Sequence, residues 1–242
     1  MTETLRGGTW NMERDRDPEV AAREAFRIID DHNLDFLCIQ ECSHYLKALR
    51  MESRAGRDDG GTHDLIAFNF EPGRAESAIL VRRTLTHGKG YQVRATRAGW
   101  ITVRGGTTPP KYLTTVLLDG WLRVVCLHTA PSVRWRQGRI VGPIRRVVSM
   151  RQLTRAVVRL ARRRPEHPLF IAGDWNATPD TRGRWSPHWV GRMIGGRVIA
   201  PKLGTHGRRT IDFAVIRGCG AKATRAESYG SDHRAVVFKV TR

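Results

Sequence analysis

The sequence predicts an α/β protein in which two mixed β-sheets pack face to face and are flanked by helices. Three observations carry that expectation. Apolar, β-rich runs outnumber stretches of helical period. Two of those runs are joined by Asp119-Gly120, a dipeptide that closes tight hairpins. The chain has 242 residues and no internal repeat, enough to bury one large core, so a single domain over residues 1–242 is expected.

The elements follow in order. Thr9 to Met12 reads as the end of a first strand that delivers Asn11 to a loop. Asp17-Pro18 opens a helix, Asp as N-cap and Pro at the first helical position, running to His32 with Ala22, Phe26 and Ile29 on one face. Leu34 to Gln40 is too short and apolar for a second helix and reads as a buried strand ending at Glu41. Residues 50–63 are polar and Gly-rich, which predicts a surface loop. Ala78 to Arg82, Lys111 to Leu118 and Trp121 to His128 are strands, and the last brings His128 to a strand end like that of Glu41.

From Pro143 to Arg163 the period is helical, with Val147, Met150, Leu153, Val157 and Leu160 on one stripe that can cover a sheet. Arg151, Arg155 and Arg159 recur on the other side, as a solvated basic face or as a ridge for phosphates. Pro168 to Ala172 is a strand opening into Gly173-Asp174-Trp175-Asn176, and Ile211 to Ile216 and Ala235 to Val240 supply two more.

Composition narrows the partners. Lys and Arg number 42 against 23 Asp and Glu, a net charge of +19, with a pI near 11.2. Arginine predominates over lysine, which codon bias can produce, but bias toward arginine does not create an excess of positive charge. Such a field attracts polyanions. The four cysteines (38, 42, 126 and 219) form no CxxC pair and three lie in apolar runs, which predicts free thiols in a reducing compartment. The N-terminus has no apolar signal-like region, and no apolar run approaches the roughly 18 residues that a membrane helix needs. A soluble, cytoplasmic monomer that avoids membranes is expected.

Every polar candidate falls at the end of an apolar strand: Asn11, Glu41, His128, Asp174 with Asn176, Asp212, and Asp232 with His233. A core position would strand these groups without water, whereas the rim of a sandwich lets them converge on a cleft. Asp174 and Asn176 are two apart, so on an extended segment they point the same way, and Asp232-His233 falls in a turn before the last strand. Carboxylates, a carboxamide and an imidazole in that arrangement suit the cutting of a phosphoester bond.

Trp10-Asn11, Ile39-Gln40-Glu41, Leu127-His128, Gly173-Asp174-Trp175-Asn176, Ile211-Asp212-Phe213 and Ser231-Asp232-His233, in this order, resemble the endonuclease/exonuclease/phosphatase superfamily, the DNase I-like fold. The resemblance spans residues 10–233 and implies a four-layer α/β sandwich and metal-dependent hydrolysis of phosphodiesters or phosphomonoesters. It implies Glu41 as a ligand of Mg²⁺, with Asp232 and Asn11 supporting and Mn²⁺ able to substitute. Asp174 would orient or deprotonate the attacking water, and Asn176 would donate to a phosphate oxygen. His233 would contact the phosphate while Asp212 holds its other nitrogen. Branches that process abasic DNA place a tyrosine where this chain has His128, whereas DNase I-like, sphingomyelinase-like, deadenylase-like and tyrosyl-DNA phosphodiesterase-like members place a histidine. Glu76 sits where DNase I-like members carry the glutamate that pairs with it.

The expected activity is therefore a Mg²⁺-dependent nuclease acting on DNA ahead of RNA. Aromatic and basic residues interleave at Arg134, Trp135 and Arg136 and again at Arg182, Arg184, Trp185 and Trp189, where bases can stack and phosphates be neutralised. The competing expectations are a phosphoesterase of the same fold acting on a small phosphate ester or phospholipid head group, and a catalytically weak nucleic-acid-binding protein.

Overall fold

The computed structural model describes residues 3–13, 16–58, 63–66, 76–85, 87–88, 90–94, 112–129, 135–136, 139–140 and 143–242. In chain order the elements are β1 (Thr4–Asn11), α1 (Pro18–His32), β2 (Phe36–Gln40), α2 (Leu46–Asp58), β3 (His63–Ile66), β4 (Ser77–Arg82), β5 (Tyr91–Arg94), β6 (Tyr112–Leu118) and β7 (Leu122–His128). There follow β8 (Trp135–Arg136), β9 (Arg139–Ile140), α3 (Pro143–Arg163), β10 (Leu169–Asp174), α4 (Pro187–Ile194), β11 (Arg197–Ile199), β12 (Asp212–Arg217), β13 (Gly220–Arg225) and β14 (Val236–Thr241).

Two mixed six-stranded sheets form the centre. One has the order β13-β14-β1-β2-β4-β3 and the other β11-β12-β10-β7-β6-β5. Their inner faces meet in a core that includes Phe36, Cys38, Ile79, Val124, Cys126, Phe170, Ala214 and Phe238, in which Phe170 makes edge-on contacts with Phe36 and Phe238. Helices α1 and α2 cover the outer face of the first sheet through Ala22, Ile28, Ile29 and Leu49. Helices α3 and α4 cover the second through Leu153, Val157, Leu160, Val190 and Ile194. The result is the expected four-layer α/β sandwich. Among the described residues no helix is long and apolar enough to cross a membrane.

Local chemistry accounts for several boundaries. Asp17 caps α1 by accepting from the backbone of Glu19 and Val20, and Asn33 ends it in the left-handed conformation. Asp119 and Gly120 both have positive φ, 44° and 67°, as the hairpin joining β6 to β7 requires.

The expectation of a loop over residues 50–63 is wrong, since α2 occupies most of that stretch and β3 begins at His63. The charged run there hides a narrow buried face, Leu46, Leu49 and Ser53, at helical spacing. Helix α4 and strands β11 and β13 were likewise not anticipated. Ser186 as N-cap, Pro187 at the first position and Gly195 at the C-cap mark α4 in retrospect. The turn after β10 is not extended either, because Asn176 is left-handed with φ 47°.

Candidate active site

Strand direction gathers the polar residues at one rim. In the first sheet β1 and β2 are parallel with Asn11 opposite Gln40, so Asn11 and Glu41 emerge side by side. Antiparallel β4 begins where β2 ends, and the Glu41 N–H donates to the Glu76 carbonyl at 2.9 Å. In the second sheet Asp174 on β10 lies opposite His128 on parallel β7 and opposite Asp212 on antiparallel β12. Gly173 makes that register possible. Its φ is 149°, and a Cβ there would stand 1.9 Å from the Leu127 carbonyl oxygen.

The two rims meet across the sandwich. Asn11 Nδ2 donates to Asp174 Oδ2 at 3.2 Å and to Glu41 Oε1 at 3.4 Å. His128 Nε2 lies 3.6 Å from both Glu41 Oε1 and Asp174 Oδ2, and its Nδ1 lies 3.3 Å from Glu76 Oε2. Asn176 donates its backbone N–H to Asp174 Oδ1 at 2.7 Å and its side-chain amide to Asp174 Oδ2 and the Thr129 carbonyl. Glu13, Glu41 and Asn176 all hold left-handed φ at this rim, a concentration of backbone strain in non-glycine residues.

The segment before β14 closes the cleft. Ser231 Oγ donates to the Asn11 carbonyl and accepts the His233 N–H, while Trp10 Nε1 donates to the His233 carbonyl. His233 Nδ1 stands 2.9 Å from Asp212 Oδ2, and Thr205 Oγ1 accepts the backbone N–H groups of Ile211 and Asp212. Asp212 is fully buried, and its second oxygen, Oδ1, has no hydrogen-bond partner.

These surroundings set the charges. Burial, then the charge of Asp212, raises the Asp174 carboxyl to about 6 against the opposing pull of His128, His233 and the Asn176 N–H. Burial alone would lower the His233 imidazole, but the Asp212 hydrogen bond and charge, joined by Asp174 and Asp232, outweigh it and raise His233 to about 9. One buried carboxylate is thus poised near neutrality beside a histidine that stays cationic.

Asn11, Glu41, Glu76, His128, Asp174, Asn176, Asp212 and His233 are brought together as the sequence suggested. Two details differ from the expected geometry. Asn11 turns its amide nitrogen, not its oxygen, toward Glu41 and Asp174. Asp232 leans away onto His206, with Oδ2 at 3.0 Å from His206 Nε2, and its N–H donates to Glu13 Oε2. Glu13, Thr205 and His206 were missed. Glu13 lies two residues beyond Asn11, and Thr205-His206 sits in a loop without sequence periodicity. The oxygens of Glu41 and Asp174, held by the neutral amide of Asn11, form a hard donor set that suits a divalent cation. Among the described residues two groups of three have ligand atoms within 4.8 Å of one another, Asp174–Asp212–His233 and His206–Asp232–His233.

The aromatic and basic residues after β10 lie in the outer helical layer. Trp185 and Trp189 meet with ring centroids 4.6 Å apart, and the guanidinium groups of Arg151, Arg155 and Arg184 lie over Trp185. A groove of about 410 Å³ runs between Arg155, Arg159, Arg162, Trp185, Trp189 and Met193, and no rim residue lines it. Arg182 is exposed. Arg134 lies outside the described residues, and Trp135 and Arg136 fall in β8.

A sandwich of this architecture with paired carboxylates and histidines at one rim is the frame of a phosphoester hydrolase. The chain belongs to the endonuclease/exonuclease/phosphatase family, whose model matches residues 8–233. The family comprises hydrolases acting on phosphoester bonds and is generally dependent on divalent metal ions. Three solved structures share the fold. An endonuclease/exonuclease/phosphatase from Bacteroides vulgatus is 16% identical with a TM-score of 0.71, each chain covered over 98%. The human Nocturnin catalytic domain with bound sulfate is 16% identical with a TM-score of 0.64, covering 99% of this chain and 97% of that one. D. rerio TDP2 complexed with a single-stranded DNA product is 11% identical with a TM-score of 0.65, covering 99% of each chain. No curated protein matches the sequence.

Proposed function

We propose that this chain is a divalent-metal-dependent nuclease that hydrolyses phosphodiester bonds in nucleic acid, DNA ahead of RNA. The observation that carries the reading is the junction of the two rims, where Asn11 and Glu41 of one sheet meet Asp174 and His128 of the other. Glu41, supported by Asp174 or by Asp232 once it turns from His206, would hold Mg²⁺ or Mn²⁺ through oxygen. A bound ion of this class polarises the phosphoryl group and offsets charge on the leaving oxygen.

The protein's own residues supply the rest. Asp174, raised to about 6, is ionised at neutral pH yet basic enough to take a proton from the attacking water. Asn11 and Asn176 fix its oxygens, so Asn176 can donate to a phosphate only by breaking its side-chain hydrogen bond to Asp174 or to the Thr129 carbonyl. His233 keeps its proton through Asp212 and presents Nε2 to the phosphate, where a fixed cation stabilises charge that builds in the transition state. His128, backed by Glu76, lies between Glu41 and Asp174 and limits the repulsion of those carboxylates.

A nucleic acid is favoured over a small ester by the net charge of +19 and by the basic, aromatic groove between α3 and α4. The DNA product held by D. rerio TDP2 favours DNA. Four free cysteines, three of them buried, favour a reducing compartment such as the cytoplasm.

The test is a panel of labelled substrates in Mg²⁺: supercoiled, single-stranded, nicked, abasic and 5′-adduct DNA, RNA, inositol phosphates and sphingomyelin. Cleavage of nucleic acid that EDTA abolishes and that falls steeply with salt is expected. Turnover of inositol phosphates or sphingomyelin without nucleic-acid cleavage would move the chain to the small-ester reading, and tight DNA binding without cleavage in any divalent ion would leave only a binding protein.

A further inference from the structure

His206 takes no part in the reaction proposed above, yet it stands at the edge of the cleft. Its Nε2 is 3.0 Å from Asp232 Oδ2, and its ring centroid is 4.7 Å from that of His233. His233 Nε2 lies 3.8 Å from the other oxygen, Asp232 Oδ1. We propose that His206, Asp232 and His233 form a second metal site, selective for zinc-class ions over magnesium, whose filling inhibits the Mg²⁺-supported reaction.

Spacing, chemistry and support agree. Bonds of about 2.0–2.1 Å in tetrahedral geometry set ligand atoms roughly 3.3–3.4 Å apart; each imidazole lies near that spacing from one oxygen of Asp232, and one ligand atom from each of the three residues lies within 4.8 Å of the others. Two imidazoles and one carboxylate suit Zn²⁺, Co²⁺ or Ni²⁺, whereas Mg²⁺ prefers oxygen donors throughout. His233 carries the outer partner that metal-binding histidines use: its Nδ1 faces the buried carboxylate of Asp212, which orients Nε2 outward. The backbone is fixed as well. His206 and His233 form a β-bridge, and the Arg234 N–H donates to the Thr205 carbonyl at 2.7 Å. Asp232 is half exposed, which leaves a fourth position open toward solvent.

The inhibitory half rests on the proposed function. An ion here displaces the Nε2 proton of His233 to solvent, takes the nitrogen meant for the phosphate and keeps Asp232 turned toward His206, away from Glu41. The binding half stands without it.

Co²⁺ serves as the probe on the whole, metal-stripped chain, read by visible absorption, with Zn²⁺ affinity measured by competition. Expected is one four-coordinate Co²⁺ per chain that Zn²⁺ displaces and millimolar Mg²⁺ does not. His206→Phe should weaken Zn²⁺ binding at least tenfold, and Asp212→Asn should weaken it by about ten- to a hundred-fold. His206→Cys should keep the ion and add a thiolate charge-transfer band; its absence would overturn the site even if His206→Phe failed to fold. Unchanged Zn²⁺ affinity in folded His206→Phe, or ready displacement of Co²⁺ by Mg²⁺, would also overturn it. In cleavage assays Zn²⁺ should inhibit the wild type at concentrations that spare His206→Phe, each scored against its own Mg²⁺ rate. Equal inhibition of both refutes the inhibitory role. A Co²⁺ site without any cleavage would defeat the nuclease reading alone, and cleavage without a Co²⁺ site would defeat this inference alone.

Discussion

Replacing Asp174 with Asn should stabilise the metal-free protein while disabling it. The carboxyl is fully buried and raised from 3.8 to about 6, so its ionised form is costlier in the folded chain than in the unfolded one. At about 1.36 kcal/mol per unit of pKa, the penalty reaches about 3 kcal/mol above pH 6. The sign follows from the raised value. Below pH 3.8 both states are protonated and the penalty vanishes; it grows as pH rises through about 6. An amide keeps most of the volume and can still accept the Asn176 N–H, but its NH2 then faces the donating amides of Asn11 and Asn176, and it no longer offsets the charge of His128 and His233, so the net gain falls well below that ceiling. For a chain of 242 residues, about 3 kcal/mol corresponds to roughly 6–12 °C in Tm as an upper limit. The assay is thermal melting of wild type and Asp174→Asn in EDTA from pH 4 to pH 8, beside cleavage in Mg²⁺. The variant should gain stability only toward the higher pH and lose roughly 10²–10⁴-fold in rate. A variant less stable than wild type throughout, or a gain independent of pH, would refute the reasoning.

Other outcomes follow from the same geometry. The pH profile of kcat/KM should rise with an acid limb at about 6 or lower, since a bound cation depresses Asp174, and should fall with an alkaline limb near 9 as His233 loses its proton. His233→Gln should remove the alkaline limb and reduce the rate by about 10²–10³-fold. Because its folded value is raised, His233 also contributes stability that is full below pH 6.5 and lost as pH rises through about 9, which urea melts of wild type and His233→Gln can follow. Gly173→Ala, forced against the Leu127 carbonyl, should cost about 3 kcal/mol or more in the same melts; a near-neutral effect would contradict the tight β7–β10 approach. Arg155→Ala with Arg159→Ala should weaken DNA binding at low salt and flatten the plot of log affinity against log salt by about 1.8 for duplex or about 1.4 for single-stranded DNA, and an unchanged slope would remove the α3–α4 groove from the interface.

The strand ends were legible because each combines an apolar run with a polar residue that a core could not accommodate. Asn11, Glu41, His128, Asp174 and Asp212 all carry that signature, and the structure sets them at one rim. Helix α3 was legible from end to end because its apolar stripe is long. Helix α2 was not: among its described side chains the buried ones are Leu46, Leu49 and Ser53 within a charged segment, and packing against α1 and the first sheet overrides composition. His206 and Thr205 escaped for a different reason. They act through a loop whose only order is tertiary, a bridge to His233 and hydrogen bonds to the start of β12, and no periodicity announces such contacts. The side-chain directions of Asn11 and Asp232 were equally invisible, since each depends on a neighbour distant in sequence.

The most direct test of the account is single-turnover cleavage of 5′-labelled DNA across a Mg²⁺ titration, comparing wild type with Glu41→Gln. The account predicts cleavage that requires the ion, vanishes in EDTA, and in Glu41→Gln shifts to much higher Mg²⁺ with a lower limiting rate. Cleavage that persists in EDTA, or an identical Mg²⁺ dependence in the two proteins, would contradict it.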